Sequence, residues 1–456
     1  MKLVFVHGWS VTSTQTYGEL PQALLKLAPE ALALDIQHIY LGRYISFNDA
    51  VTLEDLSIAF EAARRVELGE EPFSVITHST GGPLIRHWLC RYYKEAKSTP
   101  LQHLIMLAPA NHGSALAQLG KSRVSRLKAW FDGVEPGQRV LDWLELGSDG
   151  QHELNLSWLQ KDWLGAGVYP FVLTGEAIDG ALYDYMNSYT GEAGSDGVVR
   201  VCAANMNFVY AKLAQQVGEQ CQSFDGECAE TLTLTQLSQP IEPCVLGIVP
   251  KASHSNRKMG IMNSVTRRNA ANKPVVDDIL ACLAVDGPHV YRQLREQMAE
   301  ASEASRKPPR FCMLVVRVFD HLGHSVTDFD CYLLAGDEYH ASKLPRAMVR
   351  DKQRNSVNGN VITFYLDANK LSKIRAGKLG LKLIPRPDEG FCHYKSAEFR
   401  CEPQQLTQLF GADQTLMLDI QLERYIAPNT FSFAKIGEPE DFKGISSDSS
   451  CEKRCE

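Results

Sequence analysis

The chain reads as an α/β protein: a mostly parallel sheet covered by helices, followed by a smaller β-rich region. Three observations carry that reading. Short apolar runs alternate with helical patterns up to about residue 303. From about residue 308 the helical patterns stop, and short strand-like runs separated by turn residues take over. At 456 residues the chain also exceeds what one compact core usually holds.

In order, the apolar runs 3–6, 36–41, 73–77, 103–107, 169–174 and 244–249 are candidate strands. Between them, 17–27, 53–66 and 83–93 carry apolar residues at helical spacing, and the charged segment 293–307 closes this part as a helix before Pro308-Pro309. Domain one is therefore 1–303. Runs 311–319, 330–334, 361–366, 379–384, 394–400 and 415–422, with turns such as Asn358-Gly359, predict a sandwich-like β-rich domain over 308–427. The Ser-, Glu-, Lys- and Asp-rich end, 437–456, reads as a disordered tail. Cys451 and Cys455 on it are too few ligands for a metal site.

Composition narrows the partners. With 44% apolar and 22% charged residues the chain is of ordinary globular make-up, and a net charge of -7 disfavours nucleic acid. The basic residues Arg257, Lys258, Arg267, Arg268 and Lys273 read as a solvated face, with attraction of an anionic headgroup as the alternative. The twelve cysteines are scattered; Cys90, Cys282 and Cys312 sit in apolar runs, and Cys221 and Cys228 could pair without their spacing demanding it. No signal peptide precedes the first strand and no apolar run reaches a membrane span, so the expected location is cytoplasmic, with leaderless secretion as the other route. No phosphate loop or paired metal-ligand motif appears, and no cofactor is expected.

The strongest chemical signal is Ser74-Val-Ile-Thr-His78-Ser79-Thr80-Gly81-Gly82-Pro83. A strand enters a serine flanked by small residues and leaves as a helix, the context of a nucleophile elbow. Gly81 meets the need for a small residue two positions on; Thr77 stands where glycine is usual. A serine attacking a carbonyl needs two N–H donors for the developing oxyanion. The amide of Thr80 is one candidate, and that of Trp9, after His7-Gly8, is the other; His7 itself reads as a brace for that loop.

Thirteen histidines compete for the base. His78 is tied to the elbow, and His112, in Ala108-Pro-Ala-Asn-His112-Gly-Ser114, reads as a wall of the site. His254 follows a late apolar strand, where a Ser-acid-His chain order requires its base. For the acid, Asp196 in Ser195-Asp-Gly-Val-Val leads, ahead of Asp179 and Asp184.

Taken as a set, these motifs resemble bacterial lipases of the α/β-hydrolase fold, in the branch related to lecithin–cholesterol acyltransferase. The resemblance covers about residues 1–280. It implies a serine lipase, phospholipase or carboxylesterase working through a Ser-Asp-His triad and an acyl-enzyme, without cofactor. Thr77 departs from the family's commonest pattern. Hydrolases of this fold carry a helical cap where this chain has residues 115–167, a segment holding Trp130, Trp143, Trp158 and Trp163. Trp143, Trp158 and His112 are therefore the expected substrate-binding residues, and the cap the expected point of transient contact with lipid aggregates. The rival readings are a catalytically silent binding or scaffold protein on the same fold, and a thioesterase or amidase.

Overall fold

The computed structural model describes residues 1–8, 15–118, 137–178, 192–374 and 377–427. The expected tail, with Cys451 and Cys455, lies outside the described residues, as do Trp9, Trp130, Asp179 and Asp184.

Six strands, β1 (Lys2–His7), β2 (Asp35–Tyr40), β3 (Phe73–His78), β4 (Leu101–Leu107), β5 (Tyr169–Gly175) and β8 (Val245–Val249), form an all-parallel sheet in the order β2-β1-β3-β4-β5-β8. Each of the six apolar runs of the leading region lies in it. Except for the edge strand β2, they read as dense apolar runs because helices cover both faces of the sheet. Val4, Val75, Leu104 and Val172 face α2 (Leu53–Glu67) and α3 (Gly81–Tyr93). The alternate residues, Leu3, Ile76, Ile105 and Phe171, face a core that includes residues of α1 (Leu20–Leu27). Helices α4 (Gln138–Leu144) and α5 (Asp149–Leu159) follow β4, and α6 (Pro274–Leu283) and α7 (Pro288–Ser305) end the layer. The chain leaves β1 for β2 on one side and returns to β3 on the other, which opens a crevice at the carboxyl ends of β1 and β3.

The β-rich region is one curled mixed sheet of nine strands: β6 (Val209–Gln222), β7 (Cys228–Ser238), β9 (Phe311–Asp320), β10 (Phe329–Ala335), β11 (Val349–Arg354), β12 (Val361–Asp367), β13 (Leu379–Pro385), β15 (Ala397–Cys401) and β16 (Thr415–Leu422), ordered β10-β13-β15-β7-β6-β16-β9-β12-β11. A two-residue pair, β14 (Cys392–His393) with β17 (Tyr425–Ile426), stands apart. The curl brings the edge strands together: Arg354 donates to the carbonyls of Thr327 and Phe329, at 2.7 Å each, across the gap between β11 and β10. Side chains thus occupy backbone acceptors that an open edge leaves bare.

Two of the nine strands, β6 and β7, come from ahead of the expected boundary at 303–308, and β6 pairs in parallel with β16 over six residues. The hairpin docks because Val209, Ala211, Leu213 and Leu232 alternate into the core of the second sheet. Strand β9 joins the two layers. Its Phe311, Met313 and Val315 belong to the core of the first layer, while Cys312, Leu314 and Val316 belong to that of the second. Among the described residues no helix is long and apolar enough to cross a membrane.

Candidate active site

Ser79 leaves β3 with φ +53, the left-handed backbone that a sharp strand-to-helix turn imposes on its apex. Its amide donates to Leu107 O (3.0 Å), which fixes the turn to the neighbouring strand. The crowding that demands small neighbours is visible. A Cβ on Gly81 would stand 3.0 Å from Thr77 Cβ, and one on Gly82 would stand 2.7 Å from Pro109 Cβ. Thr80 caps α3, so its amide is among the donors a helix leaves unpaired at its start. The other expected oxyanion donor, Trp9, lies outside the described residues.

His254 arrives on the loop after β8 and sets Nε2 3.1 Å from Ser79 Oγ. Its Nδ1 lies 2.9 Å from Asp196 Oδ2, and its amide donates to Asp196 O at 2.9 Å. The other carboxylate oxygen of Asp196 accepts from the amides of Val198 (2.9 Å) and Val199 (2.7 Å). With an acceptor facing Nδ1, the network assigns the ring proton to that atom and leaves Nε2 to accept from the serine hydroxyl. Both Asp196 and His254 are buried, which keeps this relay away from bulk water. The structure thus brings together Ser79, Asp196 and His254; among the described residues no other histidine is hydrogen-bonded to the Ser79 hydroxyl.

His78 turns away from Ser79 and places Nε2 3.0 Å from the main-chain O of His254. Burial, with His254 beside it, pushes its protonation well below the usual histidine range, so it acts as a neutral donor. His7 points to β2, pairing Nε2 with His38 Nδ1 (2.9 Å) and stacking on Tyr40 with ring centroids 4.3 Å apart.

A small apolar cavity, partly open to solvent, adjoins Ser79. Its other walls are Ala110, Ser114, Ala117, Leu141, Leu144, Val198 and Val199. These walls come from four separate loops and helices, and no local pattern in the sequence marks them as neighbours. Trp143, Trp158 and His112 are not among the residues lining this cavity. Trp158 is buried and stacks on Trp163 (centroids 4.8 Å apart), with the Arg86 guanidinium 4.9 Å from its ring centroid. Trp143 lies over Gly150, leaving no room there for a Cβ. His112 is buried, Asn155 Nδ2 donates to its Nδ1 (3.1 Å), and burial and Arg86 push its protonation down to about 3.

A serine at a sharp strand-to-helix turn, at the switch point of a helix-covered parallel sheet, is the arrangement of the α/β-hydrolase fold. Among solved structures, phospholipase PlaB from Legionella pneumophila is 40% identical to this chain, over 99% of each chain and with a TM-score of 0.86. The same phospholipase in complex with thio-NAD aligns at 37% identity over 99% of this chain and 100% of the other, again with a TM-score of 0.86. The chain belongs to the PlaB family and is an ester-bond hydrolase. No family model and no curated protein matches it.

Proposed function

We propose that this enzyme hydrolyses acyl ester bonds of phospholipids, with Ser79 as nucleophile, His254 as base and Asp196 as the orienting acid. The observation that carries the reading is the hydrogen-bonded line from Asp196 through His254 to Ser79, opening on an apolar cavity. The family likeness to a phospholipase supplies the substrate class.

His254 Nε2 takes the proton of Ser79 Oγ as that oxygen bonds to the ester carbonyl carbon. Charge then sits on the carbonyl oxygen, held by the Thr80 amide and a second donor from the loop after Gly8, with Trp9 the candidate. Asp196 stabilises the imidazolium. As the tetrahedral adduct collapses, the carbon–oxygen bond to the alcohol breaks and His254 protonates the leaving oxygen. Water repeats the cycle on the acyl-serine, its proton passing to His254 and then to Ser79. The cavity beside Ser79 takes the acyl chain.

A fluorophosphonate probe followed by peptide mass spectrometry, together with fatty-acid release from phosphatidylcholine and phosphatidylglycerol vesicles, tests this. The expected result is a label on Ser79, and loss of both label and release in Ser79→Ala with unchanged circular dichroism. A label on another serine, or release surviving the substitution, defeats the assignment.

A further inference from the structure

The turn that carries Asp196 is held from behind by the second sheet. Arg200, buried, donates from Nε and Nη2 to both carboxylate oxygens of Glu192 at 2.7 and 2.9 Å. The same Nη2 reaches Asp351 Oδ2 on β11 at 2.5 Å. Its guanidinium lies 4.2 Å from the ring centroid of Tyr365 on β12. Tyr365 in turn donates its hydroxyl to Ala193 O (2.8 Å), three residues ahead of Asp196. Between these contacts, Gly194 sits so close that a Cβ would meet Phe311 at 2.4 Å and Tyr365 Oη at 2.5 Å. The segment 192–200 is thus gripped at Ala193, Gly194 and Arg200 by residues of β9, β11 and β12, while its Asp196 faces His254.

The loop after β11 reaches the segment that follows another wall of the cavity. Ser356 donates its hydroxyl to Glu145 (2.7 Å) and Asn355 donates to Leu146 O (3.0 Å), just beyond the cavity residues Leu141 and Leu144.

From these contacts we propose a role for the β-rich region: its β9-β12-β11 face positions Asp196, with Arg200, Asp351 and Tyr365 as positioning residues. The inference rests on the reading of Asp196 as the triad acid. The amides of Val198 and Val199 orient the carboxylate within its own turn, but they cannot fix that turn against His254. One main-chain bond, from the His254 amide to Asp196 O, ties the turn to that loop, and a charged and aromatic clamp holds its far side, because catalytic geometry survives only when its supports are locked. A sheet that merely packs against the catalytic layer needs no buried arginine shared between a loop carboxylate and a strand carboxylate.

The test is a double-mutant cycle in the full chain, using Tyr365→Phe and Asp351→Asn, which are mild enough to keep the fold. Each is expected to lower kcat on a soluble ester about 10-fold with KM unchanged, as small misplacements of catalytic groups do. In an Asp196→Asn background the same changes are expected to cost less than about twofold, since residues acting through one group are not additive. The groups facing the His254 ring are Asp196, Ser79 and His78. Loosening the only carboxylate among them removes support for the imidazolium, so the acidic limb of the kcat/KM profile moves to lower pH. A merely structural loss lowers the plateau without moving the limb. No loss from either variant, equal losses in both backgrounds, or a fixed limb overturns the clamp. Full activity in Asp196→Asn alone instead overturns the triad reading, and the clamp with it.

Discussion

His78 donates Nε2–H to the carbonyl oxygen of His254, 3.0 Å away, so the residue just before the proposed nucleophile holds the loop of the proposed base. Strand β3 and the loop after β8 are separated by two intervening strands, and this bond ties their ends across the site. His78→Phe is expected to lower kcat about 10-fold with little change in KM, in line with loss of one buried positioning hydrogen bond. His78→Gln, which keeps an N–H donor of similar reach, should recover most of that loss. Steady-state kinetics on a soluble ester decides it; equal defects in both variants mean that ring volume, and not the bond, matters.

Thr77 and Gly81 form a coupled pair. Because Thr77 brings a Cβ to a position where a glycine brings none, the space above it is used up, and a Cβ at Gly81 would lie 3.0 Å away. Gly81→Ala should therefore destabilise by about 1–3 kcal/mol through overpacking and reduce ester turnover. Thr77→Gly in that variant removes the opposing Cβ. The double variant should melt higher, or turn over faster, than Gly81→Ala alone. Simple additivity of the two losses would refute the coupling.

The parallel sheet was legible because β1, β3, β4, β5 and β8 are covered on both faces and leave dense apolar runs in the sequence. Strands β6, β7 and β11 were not. Only the first half of β6 buries residues in alternation, while its continuation, from Val217, is largely exposed and polar. Strand β7 does carry a signal, with Thr231, Thr233 and Thr235 alternating with Leu232 and Leu234, but it lies inside a region dominated by the helix-strand pattern. Strand β11, Val349–Arg354, is a charged edge strand and so lacks the apolar run that marks its neighbours. In the site, Ser79, Asp196 and His254 could be singled out because an elbow, a tight turn and chain order constrain them locally. Leu141, Val199 and Arg200 could not, since tertiary packing alone makes them neighbours of the site. Trp158 drew attention as a large aromatic, but its stacking on Trp163 comes from tertiary packing that the sequence does not display.

The cavity beside Ser79 is lined both by small residues, Ala117 among them, and by leucines, which gives two opposed tests of acyl-chain length. Ala117→Leu adds bulk to the wall and should move the best substrate among p-nitrophenyl esters toward shorter chains. Leu144→Ala enlarges the space and should move it toward longer ones. Each methylene gained or lost from burial is worth about 0.8 kcal/mol, so kcat/KM should change roughly fourfold per carbon near the limit. An unchanged chain-length profile in both variants would mean that the acyl group runs elsewhere.

Buried histidines should make the fold acid-sensitive. Burial holds His7 at about 3, with His38 adding to the effect, and holds His112 at about 3 with help from Arg86, against 6.5 for a free histidine. A histidine whose protonation is depressed in the native state binds its proton first in the unfolded chain, so stability is lost as pH falls below about 6.5, down to about 3. At pH 5 this amounts to roughly 2 kcal/mol for each of the two. Asp278 works the other way. Burial, with Asp277 nearby, raises it to about 6, so it gains a proton in the native state first and returns about 1 kcal/mol at pH 5. The histidines outweigh it, and the melting temperature should fall between pH 7.5 and pH 5. His112→Gln removes one titrating group while keeping an amide beside Asn155. That variant should melt lower at pH 7.5 yet lose less on acidification than the unaltered chain. An equal drop in both would show that His112 does not set the acid response.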